Sequence, residues 1–400
     1  MKFWGYQRPD GRVGVRNHVA VIPSTYCAVR VARWIAERVQ GAVALHHSVG
    51  CSQVGLDLEM TARTLKNLGR HPNVAAVLVV GLGCERLTPA ELAEGIAESG
   101  KSVEMITIQD CGGSLKALEA GASIARKLVQ HAATLKKEQF GLEHLAVATE
   151  CGGTDGLSGL LANPAVGIAA DMLVAEGGTA MISEINELLG TEHLMAARAA
   201  SSEVADRIRK VVALSEARLA WQSENDRTGK RLALISTGNF DGGVSTVVEK
   251  ALGGYKKSGA SPFVDVLRYS DLPSKRGLHL MDTSGNDAES TTGMVAGGCQ
   301  VVLFTTGRGT PTGHPIAPVI KVTGNTQSYQ KMFDNIDVNT GTVLDGTMTL
   351  RQAGEEVFRE VLAVADGKLT KAEILGHDEL MAVWRSWPEH ERAYGCGEWG

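Results

Sequence analysis

The chain has 400 residues, 44% hydrophobic and 21% charged, a balance that supports folded domains with real cores and excludes a disordered chain. A formal net charge of -5, a pI near 6.1 and the lack of any Lys/Arg cluster interleaved with aromatics exclude a nucleic-acid-binding surface. No apolar run reaches the length of a membrane span and MKFWGYQRPDGRVGVRN has no signal-peptide core, so a cytoplasmic protein without a membrane partner is expected.

From Asn17 onward short apolar runs alternate with longer amphipathic segments. HVAVIP (18–23), AVALHH (42–47), VAAVLVVG (74–81), VEMITI (103–108) and HLAVAT (144–149) read as buried strands, with CAVRVARWIAERV and ELAEGIAES as helices between them. Continuous apolar strands alternating with helices predict βαβ units and parallel sheets covered on both faces. Around 207–231 the chain becomes helical and charged and ends in SENDRTGKR, which sets the expected boundary between a domain over 1–225 and a second over 226–400. In the second, RLALIST (231–237), FVDVLR, LHLMDT, QVVLFTT (300–306) and PVIKVTG read as strands, VSTVVEKALGGYKK as a helix, and LRQAGEEVFREVLAVADG as a helix closed by Gly. The expected fold class is α/β, two domains with mainly parallel sheets, and ligands should collect in the crevice at the strand carboxyl ends.

Seven cysteines, an odd number without short spacings, argue against a disulfide scaffold and predict reduced thiols. Four stand just past a strand: VIPSTYC ends at Cys27, LHHSVGC at Cys51, VVGLGC at Cys84 and AVATEC at Cys151. Singly, each reads as a small residue in a turn. On neighbouring strands of one parallel sheet, the four would converge. Thiolates with His and carboxylates nearby ligate iron, zinc or an iron-sulfur cluster, and the long spacings exclude a CxxC zinc ribbon. These residues leave open a cluster on three cysteines and a single Fe(II) held by mixed ligands.

ECGGTDGLSG (150–159) sets Glu150, Cys151, Asp155 and Ser158 among glycines ahead of a helical segment, where backbone N–H groups face an anion. It has neither GxGxxG spacing nor a Walker lysine, which leaves a nucleotide-dependent oxidoreductase without its fingerprint. His46 and His47 precede Cys51 on one strand end, so one of the two faces the crevice. TGRGTPTGHP (306–315) places Arg308 and Thr310 at a glycine-rich strand end, and Arg grips carboxylate or sulfonate bidentately. TGNFDGG (237–243) places Asn239 before another helix.

The segments RPDGRVGVRN, HSVGCSQ, VVGLGCE, ECGGTDGLSGLLANPA, TGN..GG....EK.LG and FTTGRGTP, in this order, resemble the altronate/galactarate dehydratase family over essentially the whole chain. The resemblance implies β-elimination, by dehydration or desulfonation, from a small 2-hydroxy acid or sugar acid to a 2-oxo acid. It also implies a metal: iron, as Fe2+ or a 4Fe-4S cluster, with Mn2+ or Zn2+ as the alternative. Cys27, Cys51, Cys84 and Cys151 fall on matching cysteines as its ligands, whereas Cys299 and Cys111 match fewer members and are left outside. Sugar-acid members carry a small N-terminal domain ahead of the RPDGRVG segment, and this chain starts almost at that segment. A separate small subunit, within an oligomer, is therefore an expected partner. Phe240 stands where sugar-acid members have a lysine, and His314 follows TPTG unexpectedly, so a substrate other than altronate or galactarate is anticipated.

Removing a proton alpha to a carboxylate needs a base and an electrophile for the enolate charge. On this reading His47 is the first choice for proton transfer, and Asp155 or Glu85 the second. Arg308, Asn239, Lys321, Ser158 and Thr310 would hold the substrate. The rival readings are a mononuclear Zn or Mn hydro-lyase and, from Phe240, a sugar-acid-binding protein with altered catalysis.

Overall fold

The computed structural model describes residues 1–224 and 235–385. Four parallel strands form a first sheet in the order Ala42–Ala44, His18–Pro23, Val74–Gly81, Ser102–Thr107. All eight residues of Val74–Gly81 are buried, the condition under which a strand is apolar throughout instead of alternating. Helices Val29–Arg38 and Ser114–Ala132 cover one face, Gly55–Arg70 and Pro89–Ala97 the other.

A second sheet has seven parallel strands, ordered Phe263–Leu267, Gly277–Met281, Thr179–Ile182, Ala146–Gly152, Val301–Thr306, Val319–Thr323, Val338–Asn339. It draws on strands from both sides of the boundary expected at 225/226, so the sheets part between residues 107 and 146 instead. The charged helix Ser202–Glu224 that suggested a linker is a connection within the second unit. Of RLALIST, residues 231–234 lie outside the described residues, and Thr237 opens a short helix, Thr237–Asp241.

The two units share a core. Leu65 and Leu68 of the first pack in one cluster with Met294 and Phe304 of the second. Beside it, Asn67 donates to Ser270 O at 2.8 Å and Asn73 to Gln300 O and Ile316 O at 2.9 Å each. The apolar stretch Ser158–Ala175 is long enough to cross a membrane by composition, yet 56% of it is buried, with Val166, Ala169 and Leu173 clustered against helix Leu350–Asp366. It is a core helix.

The RPDGRVGVRN segment is a clasp. Arg8 donates to Pro72 O at 2.6 Å, to Asn17 Oδ1 at 2.9 Å and to Arg16 O at 2.8 Å. Arg16 forms a bidentate pair with Glu373 at 2.7 and 2.9 Å and donates to Val364 O, tying the start of the first sheet to the C-terminal helices.

Candidate active site

Each of the two parallel sheets has one place where the chain leaves in opposite directions from adjacent strands, and there a crevice opens at the carboxyl ends. In the first sheet it lies between His18–Pro23 and Val74–Gly81; in the second, between Ala146–Gly152 and Val301–Thr306.

At the second, a buried group of acids surrounds Cys151. Cys151 Sγ lies 3.8 Å from Glu184 and 3.5 Å from Glu187, and its backbone N–H donates to Glu184 at 3.2 Å. Lys257, almost fully buried, pairs with Glu184, and Lys250 pairs with Glu187 at 2.8 Å. Ser290 donates to Glu150 Oε2 at 2.7 Å, while Glu150 Oε1 is buried without a partner among the described residues. One donor atom from each of Glu150, Glu184 and Asp287 lies within 4.8 Å of the others, and the same holds for Cys151, Glu184 and Glu187. Glu184 belongs to both sets and is held at a left-handed φ of 62°, a backbone strain found where side chains must be aimed.

Burial, with Glu184 adding to it, pushes the Glu150 carboxyl well up and Glu187 up, and brings Asp287 to about 7. Burial also raises the Cys151 thiol well above its usual range. Lys257 is pushed the other way by burial, but the charges of Cys151, Glu184 and Glu150 win and hold its ammonium. Four carboxylates against two ammoniums leave a deficit of two positive charges when all are ionised.

At the first sheet's crevice, Cys27, Cys51 and Cys84 are exposed and line one cavity of about 390 Å³ with Glu85 and Arg86. Their turns are tied together. Tyr26 N–H donates to Val49 O at 2.8 Å. The Glu85 carboxylate accepts from Ser24 Oγ and from the N–H groups of Leu82, Gly83 and Cys84, which together lower its pKa against the effect of burial.

The family model for the C-terminal part of D-galactarate/altronate dehydratase matches residues 142–389, and that for the second domain of D-galactarate dehydratase/altronate hydrolase matches 5–133. The chain belongs to the D-galactarate/altronate dehydratase family. It is 38% identical to (2R)-sulfolactate sulfo-lyase subunit beta of Chromohalobacter salexigens, over 95% of this chain and 96% of that one. It is 35% identical to altronate dehydratase of Bacillus subtilis, over 96% and 78% of the two chains. To galactarate dehydratase (L-threo-forming) of Escherichia coli it is 36% identical, over 92% and 73%. These relatives are lyases of C–O or C–S bonds.

Against this family frame, three of the four expected metal-binding cysteines meet and the fourth does not. Cys151 ends a strand of the second sheet, buried among acids, and does not line the thiol cavity. His47 is buried, with Nε2 2.8 Å from Pro23 O and Nδ1 accepting from Val49 N–H at 3.3 Å. Burial lowers its pKa to about 4. Both ring nitrogens are spent on backbone, so His47 fixes the turn ahead of Cys51 and has no lone pair for proton transfer. Glu85, with four donors on its carboxylate, shapes the Cys84 turn in the same way.

Asp155 accepts from Ser158 N–H and Oγ at 2.7 and 2.8 Å and from Asn325 at 3.1 Å, which occupies Ser158 as well. A Cβ at Gly307 would sit 2.3 Å from the Asp155 carboxyl carbon, so that strand end must be glycine. Asn239 caps its own helix and donates to Thr154 O at 2.9 Å. Thr310 Oγ1 lies 3.0 Å from Thr312 Oγ1. Lys321 is buried with Nζ unpartnered among the described residues, and burial lowers its pKa to about 8. Arg308 alone of these keeps a half-exposed charged head, 3.3 Å from Asp241. Phe240 is exposed on the short helix, and His314 lines a separate cavity with His18 and His377. Apart from Glu150, the acids and lysines around Cys151 escaped the sequence reading, although Glu184 and Asp287 carry the same signal as the cysteines, a polar group past an apolar strand.

Proposed function

We propose that this lyase performs a β-elimination on a small 2-hydroxy acid, releasing water or sulfite and leaving an enol that ketonises to a 2-oxo acid. The observation that carries it is the coverage: relatives named for dehydration and for sulfo-lyase chemistry each match more than nine-tenths of this chain. What the two reactions share is loss of an α-proton and of a group from the β-carbon.

The residues at the second crevice fit a divalent cation. Glu150, Glu184 and Asp287 offer three oxygens close enough for one ion, Glu150 has an oxygen in want of a partner, and in the fully ionised group the four carboxylates outnumber the two ammoniums by two. Oxygen donors of this kind suit Fe2+ or Mn2+. A bound cation would supply Lewis acidity to the substrate carboxylate as its α-proton leaves. Glu187, partly exposed and with its proton affinity raised by burial, takes that proton, and Lys250 holds its orientation. Arg308 grips an anionic substituent of the substrate. A relative named as a subunit beta supports a second, small chain as partner, and the free thiols suit the cytoplasm.

The test is anaerobic incubation with Mn2+ or Fe2+ and either a 2,3-dihydroxy acid or a 2-hydroxy-3-sulfo acid, assaying 2-oxo acid and sulfite. One of the two substrates should turn over, and Glu187→Gln should be at least 100-fold slower with cation binding retained. A cation-loaded protein, supplied with a small subunit, that turns over neither would overturn the reading.

A further inference from the structure

The RPDGRVGVRN clasp also walls a cavity of about 510 Å³ that the elimination leaves without a task. It opens at the amino ends of the first sheet, between Pro9, the starts of strands Val74–Gly81 and Ser102–Thr107, and the last turn of helix Ser114–Ala132. The length of Val74–Gly81 puts roughly 20 Å between this cavity and the crevice at the carboxyl ends. Arg8 and Lys101 line it, only 3% and 6% exposed, and neither forms an ion pair among the described residues. Arg8 uses three of its five N–H groups on Pro72 O, Arg16 O and Asn17 Oδ1. Lys101 uses two of its three on His71 O at 2.6 Å and Gly69 O at 3.3 Å.

Gly69 and His71 close helix Gly55–Arg70, whose dipole supplies the equivalent of about half a negative charge, less than two buried cations require. Arg12 reaches the same helix end through Arg70 O, but it brings its own carboxylate, Asp10, at 2.6 Å. Exposed Lys136 is a third cation on the cavity wall, and Glu138 is the one carboxylate there. With His131 neutral, three cations against one carboxylate leave two positive charges over. The crowding shows in Lys101: burial, then the charges of Arg8 and Arg12, hold its amine well below its usual range against the pull of Asp10. The wall is also fixed in shape. Gly100, at φ +75°, lies so close to the clasp that a Cβ would stand 2.8 Å from Pro9 Cβ, which seats the turn ahead of Lys101.

We propose that this cavity binds a phosphate-class dianion, either free phosphate or the phosphate group of a small monoester, among Arg8, Lys101 and Lys136. Two excess positive charges match a dianion. The donors come from three sides, the clasp, the edge of Ser102–Thr107 and the segment after helix Ser114–Ala132, with the Ser102 hydroxyl on the same wall. That spread suits a tetrahedral set of oxygens better than the two coplanar oxygens of a carboxylate. Standing at the far end of the sheet from the crevices, the anion stabilises the clasp without competing for the elimination site.

The experiment is a titration of the full chain with inorganic phosphate at constant ionic strength, followed by phosphorus NMR and by thermal unfolding. Saturable binding is expected, with the unfolding temperature rising in step with occupancy. Lys101→Met should weaken binding about tenfold and Lys136→Gln about threefold, while Glu138→Gln should tighten it. Lys136 and Glu138 are exposed, so their variants carry the test should Lys101→Met fail to fold. Arg308→Lys should bind phosphate as the parent does, which separates this site from the anion grip of the elimination site. Glycerol 3-phosphate is titrated in parallel: tighter binding of the ester supports a phosphorylated metabolite as the ligand, and tighter binding of phosphate supports the free ion. No saturable binding, equal affinity in the parent, Lys101→Met and Lys136→Gln, or binding lost in Arg308→Lys alone would each overturn the proposal.

Discussion

The two crevices occupy the same topological position and are built in opposite ways. At the first sheet the reactive side chains are exposed and the supporting groups, His47 and Glu85, are engaged by backbone. At the second the reactive groups are themselves buried and support one another, carboxylate against ammonium. The fold supplies the place in both cases, but only at the second do the reactive groups bear on folding. Protonation and substitution should therefore act differently on the two.

The broadest effect is that of acid. Burial lowers His18 and His47 to about 4 and His314 to about 3, against about 6.5 in the unfolded chain. Below pH 6.5 the unfolded state binds the extra protons, so the stability held by these neutral rings is whole above 6.5 and is lost as pH falls toward 4, by up to about 1.4 kcal/mol per unit for each ring. Asp287 runs the other way. Its folded value of about 7 lies above 3.8, so the folded state binds the proton first and acidification relieves its burial. Between pH 7.5 and 5 the metal-free protein should lose amide protection around His18 and His47 well before it does around Glu150 and Asp287. Equal losses, after correction for intrinsic exchange rates, would erase the contrast.

Glu184→Gln comes next. It removes the carboxylate paired with buried Lys257, and breaking a buried pair costs about 3–5 kcal/mol. Cys51→Ser changes an exposed atom, and its effect should stay within about 0.5 kcal/mol. Denaturant midpoints compare the two directly, and equal shifts would mean that the second crevice is no more coupled to folding than the first.

Much of this fold was legible because strands buried on both faces announce themselves. Val74–Gly81, His18–Pro23, Ala146–Gly152 and Val301–Thr306 lie where their apolar runs stand. Sheet membership was not legible, since nothing local in AVATEC says that its neighbour is residues 301–306 and not 74–81. That is why Cys151 was grouped with the other three thiols, and why a charged helix passed for a domain boundary. The roles of His47 and Asp155 were hidden in part for a related reason: beside their local partners Val49 and Ser158, they are engaged by Pro23 O and Asn325, 24 and 170 residues away. Glu184 and Asp287 were readable in principle, each past its strand in TAMISE or LHLMDTSGND, had carboxylates been weighed as the thiols were.

A narrower test bears on the thiol turns alone. Gly50→Ala forces a side chain into a left-handed φ and against Ser24 O and Thr25 Cα, at about 1–3 kcal/mol. Reactivity of Cys27 and Cys51 toward a thiol reagent should change while that of Cys151 does not, and a uniform change would mean that the turns are not a separate unit.

The smallest expected effect on stability is at Arg308. Its head and that of Asp241 are 55% and 70% exposed, and such pairs contribute about 0–1 kcal/mol, so Arg308→Lys should unfold like the parent. Lysine keeps the charge but not the planar fork that meets a carboxylate or sulfonate through two hydrogen bonds. If Arg308 grips the ground state and the transition state alike, KM should rise about tenfold with kcat unchanged. A fall in kcat at constant KM would instead place the guanidinium on charge that develops during elimination. No change in either would leave the buried Lys321 amine as the next cation to replace, and Lys321→Met is the variant that asks whether it meets substrate at all.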